Sequence, residues 1–167
     1  MVACSEDKMS TIQSFDYDQD EIAERIVDVA ITYSDSGRIQ AQLQAPLMLR
    51  YTSEYDQIEM PEGLHAVFFD RQGQRESELW ADYGVRKLKS RITVASGNVK
   101  VINQKGDTLL SEHLVWDEQD DRVFTDQYVE IRTPKEIIMA DGFESDMSFS
   151  SYEFYNIRGI ITLEEEK

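Results

Sequence analysis

The chain of 167 residues and 19.4 kDa has room for one domain or one repeat array, and not for two independent cores. With 41% hydrophobic and 30% charged residues it holds enough apolar material to fold and too much for general disorder. Its 33 acidic against 17 basic side chains give a net charge of −16, which repels phosphate backbones and excludes nucleic-acid binding.

The chain opens Met1-Val2-Ala3-Cys4-Ser5-Glu6, with Cys4 its one cysteine, so no intramolecular disulfide forms. Small residues before Cys4 and polar ones after it resemble the end of a bacterial lipoprotein signal without its hydrophobic region, which makes Cys4 a candidate lipidation site. Residues 5–24 are acidic and aperiodic and read as a tether, with one helical turn expected around Asp18 to Arg25. No window approaches the ~20 apolar residues needed to cross a bilayer.

From Val27 the period becomes two. Val27, Val29, Ile31 and Tyr33 alternate with polar or small residues, Ser34-Asp35-Ser36-Gly37 supplies a turn, and Ile39, Ala41 and Leu43 resume the alternation: a β-hairpin. The pattern continues through Leu47, Leu49 and Tyr51, then Leu64, Ala66 and Phe68, a turn over Asp70–Gln74, and a strand opening at Glu78. In the second half, short strands are expected at Arg91–Val94, Asn98–Ile102, Thr108–Leu110, His113–Trp116, Arg122–Phe124, Tyr128–Ile131 and Glu136–Met139, with Ser96-Gly97 among the turns. Turn signals every 8–12 residues or so favour an all-β sandwich, barrel or stacked roll.

A loose internal repeat accompanies these strands. EMPEGLHAVFF, VASGNVKVI, FTDQYVEI and FYNIRGII superpose with Gly63, Gly97 and Gln127 in register, and LQAPLML, LWADYGV, LVWDEQD and MADGFES fall between them. Such periods point to stacked supersecondary units that bury one apolar seam.

The parts of a catalytic site are missing. His65 and His113 lie in separate strands without ligand-spaced partners, no phosphate loop or nucleophile elbow is present, and Asp117, Asp120, Asp121 and Asp126 lack calcium-loop spacing and read as an acidic turn. No metal, cofactor or enzymatic activity is expected. Phe68, Phe69, Trp80, Trp116, Phe124, Phe143, Phe149 and Phe154 recur in the strand pattern; they fill the interior if the roll closes and line an apolar trough if it stays open.

Over residues 24–163 the chain resembles the LptC family of the lipopolysaccharide export system, with its OstA-like β-jellyroll. The resemblance rests on VDVAITYSDSGRIQAQLQAPLMLRY, on the central S-G-N-V-x-V, G-D-T-L-x-S-E-x-L-x-W-D and T-D-x-x-V-x-I order, and on the closing A-D-G-F-E-x-D segment. It implies an open, V-shaped jellyroll of two antiparallel sheets over residues 24–167, preceded by the tether at 1–23. The implied groove shelters acyl chains among Ile39, Leu43, Leu47, Leu49, Val94, Val99, Val101, Val123, Val129 and Ile131. The implied partners are lipopolysaccharide, inner-membrane Lpt ABC transporter subunits and a soluble bridge protein of the same fold. They would meet edges formed by Val27, Val29 and Ile31 at one end and Ile157, Ile160 and Ile161 at the other. The place implied is the periplasm, at the inner membrane, through an acyl chain on Cys4. A negatively charged protein repels an anionic headgroup, so the favourable term would be acyl burial at roughly 25 cal/mol per Å², with the headgroup outside. The alternative is a closed β-sandwich used for interaction or adhesion at the cell envelope, without lipid transport.

Overall fold

The computed structural model describes residues 22–52 and 56–163. Among them every regular element is a β-strand: β1 (Ile22–Asp35), β2 (Arg38–Tyr51), β3 (Gln57–Met60), β4 (Leu64–Phe69), β5 (Arg75–Ala81), β6 (Tyr83–Lys87), β7 (Ile92–Asn103), β8 (Thr108–Asp117), β9 (Arg122–Thr125), β10 (Val129–Arg132), β11 (Glu136–Asp146) and β12 (Tyr152–Thr162). The expected first hairpin is present. Ser36 and Gly37 take φ of 51° and 77°, the double left-handed pair that a two-residue turn between twisted strands requires. The helical turn expected up to Arg25 is not formed over Ile22–Arg25, which is already β1, paired with Tyr51, Arg50 and Leu49.

All pairings are antiparallel, and the twelve strands form one continuous sheet folded over itself into the two layers of an open jellyroll. One layer holds β4, β5 and β10, and the other holds β3, β6 and β9. The long hairpins β1–β2, β7–β8 and β11–β12 run through both. The N-terminal half of β7 pairs with β6, its C-terminal half with β5; β8 and β11 each divide likewise between β9 and β10.

Each long hairpin bends where it changes layer. In the first, Asp28 (φ 52°) faces Pro46, which has no amide to donate to the ladder. In the second, the register shifts between Ser96 and Val99, where Gly97 and Asn98 have φ of 75° and 46°. The turn expected at Ser96-Gly97 is therefore a bulge inside a single strand, and Thr108–Trp116 is likewise one strand rather than two. In the third, the register shifts between Met139 and Ala140, and Asn156 (φ 50°) sits beside the bend. The repeat aligns these crossings: Gly63 joins β3 to β4, Gly97 bends β7, Gln127 joins β9 to β10, and β12 bends at Asn156. Of the returning segments, LQAPLML, LWADYGV and MADGFES hold crossings, whereas β8 bends at Glu112, ahead of LVWDEQD.

The bends stack into a spine lined with Asp28, Glu62, Asp82 and Asn98. Opposite it the layers part. Val99, Val101, Val129 and Phe143, each at most 1% exposed, anchor the core towards the C-terminal end, where Phe143 contacts Phe149, Tyr152 and Phe154. β1 pairs only with β2, and β12 only with β11, which leaves the outer edge of each without a described partner.

Candidate functional site

Towards the N-terminal end the layers enclose an apolar cavity of about 70 Å³. Ala41, Leu43, Leu64, Ala66, Phe68 and Leu79 face it from one layer, and Met48, Met60, Ala95, Leu114, Trp116 and Val123 from the other. At the open side of the V, Phe68 and Trp116 meet edge to face, with centroids 5.3 Å apart. Beside them the Arg86 guanidinium lies 5.7 Å from the centre of the Tyr33 ring. Both contacts join one layer to the other. Met147 and Phe149, from the turn between β11 and β12, close the remaining side.

The mouth outside this cavity is a cleft of about 460 Å³ with two unlike lips. On one lip Glu118 binds Arg86 and, at 3.4 Å, Arg91. On the other lie Asp35 and Glu76, next to Asp70 and Asp146. Burial, followed by the charges of Asp70 and Asp146, raises the Glu76 carboxyl above its ordinary range. Burial also opposes ionisation of Asp146, but hydrogen bonds from Ser150 and Ser148 outweigh it and hold that carboxyl low.

The candidate groove residues fall into separate places. Leu43 and Val123 line the cavity. Val99, Val101, Val129 and Ile131 lie in the packed core nearer the C-terminal end. Ile39 continues the face of Ala41 and Leu43 outward and is exposed. Met48 faces the cavity, so alternation puts its buried neighbours Leu47 and Leu49 on the opposite face of β2. Val94 likewise lies out of phase with Thr93 and Ala95, between Val85 and Val115. Leu64, already in the alternation with Ala66 and Phe68, lines the cavity too, and Met48, Met60, Ala95 and Leu114 join the lining without having stood out in the sequence. The signals of Met48 and Met60 were masked by the bend at Pro46 and by the brevity of β3.

The sequence model of a family described as "Lipopolysaccharide-assembly, LptC-related" matches residues 22–161. The chain belongs to the LptC family. No curated protein matches it. Membership gives it a role in lipopolysaccharide transport, within an assembly that faces the periplasm at the inner membrane; the family is a transport component, not known as an enzyme.

At the edges of this LptC-family roll, Val27 is 60% exposed and Ile157 53%, and Ile160 and Ile161 are exposed as well. Val29 and Ile31 pack inward with Ala45, Met48 and Met60. His65 stacks on Trp80, with centroids 4.8 Å apart, and its Nε2 lies 3.1 Å from Glu78; no group of three His, Cys, Asp or Glu able to hold a metal occurs among the described residues. Asp117 accepts the amides of Gln119 and Asp120 and so shapes the acidic turn. No helix among the described residues is long and apolar enough to cross a membrane, and Cys4 and the tether up to residue 21 lie outside them.

Proposed function

We propose that this chain shelters the acyl chains of lipopolysaccharide between its layers and passes the lipid from inner-membrane Lpt transporter subunits to a soluble bridge protein of the same fold. The observation that carries the reading is the enclosed apolar cavity, whose open side is spanned by side-chain contacts, Phe68 on Trp116 and Tyr33 on Arg86. At one water-sized group per 10–15 Å³ or so, about 70 Å³ holds roughly five to seven such groups, too few for an acyl chain. Loading therefore parts the layers at the mouth. Leu43 and Val123 make the first contacts, and Ile39 stands at the entrance. Val99, Val101, Val129 and Ile131 extend the seam as the core yields.

The outer edges of β1 and β12, which have no partner strand among the described residues, support the two handovers by strand addition, β1 receiving and β12 delivering. Cys4, on the tether of residues 1–23, is the proposed acyl anchor, and mass spectrometry of the membrane-bound protein tests it by the added acyl mass.

Photo-crosslinking with lipopolysaccharide tests the main reading. Adducts from probes at Leu43 and Val123, with none from the exposed Lys100, support it. Silence at the two cavity positions favours the closed interaction module, the reading to which the filled C-terminal half of the core lends support.

A further inference from the structure

Arg86 and Lys87 at the end of β6, with Lys89 and Arg91 in the turn that follows, concentrate in one short stretch four of the 17 basic residues of a chain whose net charge is −16. That stretch forms one lip of the mouth. Its guanidiniums are held in place: Arg86 donates to Thr93 and Glu118, Arg91 donates to Glu118, and the Glu118 amide bonds the Arg91 carbonyl at 3.2 Å. Glu118 is only 12% exposed, and Arg91 is 58% exposed. Among the described residues Arg86 and Arg91 thus share one carboxylate, Glu118, as their ion-pair partner. Trp116, which lines both cavity and mouth, keeps a buried indole N–H without an acceptor among the described residues. The opposite lip, with Asp35 and Glu76 in the cleft, repels anions and would turn one towards the arginines, while Asp121 lines the cleft from the β8–β9 turn that also carries Glu118.

We infer that Arg86 and Arg91 form a binding site for the anionic headgroup of the lipid, a phosphoryl group by preference, with Glu118 as the resident carboxylate that this group replaces. The inference rests on the acyl-shelter reading and adds to it the position and polarity of the headgroup. An acyl chain in the cavity brings its headgroup to the mouth, where the bidentate donors of an arginine match phosphoryl oxygens. The global charge of the chain therefore does not decide the local encounter. Glu118 keeps the arginines ordered and neutralised in the unloaded state, and an arriving phosphoryl group competes with it.

The test compares two amphiphiles of equal chain length, dodecyl phosphate and dodecyl maltoside, below their micelle concentrations, on the full chain by calorimetry. Tighter binding of dodecyl phosphate is expected. Arg91→Gln, at an exposed position, should weaken dodecyl phosphate about tenfold and leave the maltoside unchanged, and Glu118→Gln should strengthen dodecyl phosphate alone. Equal affinities that neither variant alters would overturn the headgroup site and leave the acyl shelter standing. Inorganic phosphate bound as tightly as dodecyl phosphate would also overturn it, by assigning the arginines to a free anion. Failure of both amphiphiles to bind would defeat the acyl shelter, and this inference with it.

Discussion

Phe68 on β4 and Trp116 on β8 meet at an interplanar angle of 81°, the positive edge of one ring on the negative face of the other, and they belong to opposite layers. A contact between layers at the open side acts as a latch, because it is lost when the V opens while the strand ladders stay intact. A double-mutant cycle with Phe68→Ala and Trp116→Ala, read by urea unfolding, should return a coupling of about 0.5–1.5 kcal/mol. The same variants should take up lipopolysaccharide faster than the parent. An additive cycle with unchanged uptake would remove the latch.

Gly97 and Gly37 share a left-handed backbone, at φ of 75° and 77°, but differ in surroundings. A Cβ on Gly37 meets nothing within 4 Å, whereas one on Gly97 lies 3.1 Å from the Asp82 Cβ, and the Gly97 carbonyl accepts the Asp82 amide. Alanine at either site costs about 1–2 kcal/mol in backbone strain. Gly97→Ala should cost more than Gly37→Ala, since it also disturbs the spine. Equal urea midpoints for the two variants would contradict this.

Tyr83 donates a 2.8 Å hydrogen bond to Glu59, which also accepts one from Tyr51. Burial first, and then the bond and charge of Glu59, push its phenol up to about 12 from an ordinary 10.0. A group with a raised folded pKa contributes stability that is complete below its unfolded value and fades through its folded one. Stability should therefore fall between about pH 10 and about pH 12, and Tyr83→Phe should flatten that part of the curve. The ultraviolet titration of Tyr83 itself should lag behind that of an exposed phenol.

Glu76 has the opposite chemistry with the same sign of shift. Because its carboxyl is raised, the fold favours the neutral form, and the charged form costs stability as pH rises through the ordinary value of 4.5 and beyond. Glu76→Gln should raise the urea midpoint at pH 7, with the gain shrinking as pH falls towards 4.5. A gain independent of pH would point to packing in place of charge.

The strands were legible because alternation around small-residue turns has few other solutions. Ser36-Gly37 marked the first hairpin, and Asp70 marked the next by accepting the amides of Gln72 and Gln74. The bends were harder to read, since Gly97 signals a left-handed residue and cannot say whether the chain reverses or continues as a bulge. β3 and β6, at 4 and 5 residues, carry too few side chains for a period to show. Within the candidate groove the phase was readable on β2 as far as Leu43. Beyond Pro46 the strand changes layer, and parity in the sequence no longer tells inside from outside.

The spine also governs how the molecule can move. Six long strands pass from one layer to the other without a break in the chain, so the layers cannot slide or separate as independent plates; widening must be shared as small torsions at many bends. The stiffness of the V is then a collective property, set as much by Asp28, Gly97 and Asn156 as by any contact at the mouth. A strand added along the whole of β12 would be bonded to both layers and forced to adopt the angle between them. Two molecules joined in that way would share one degree of opening, and a load entering the first would mechanically preset the second.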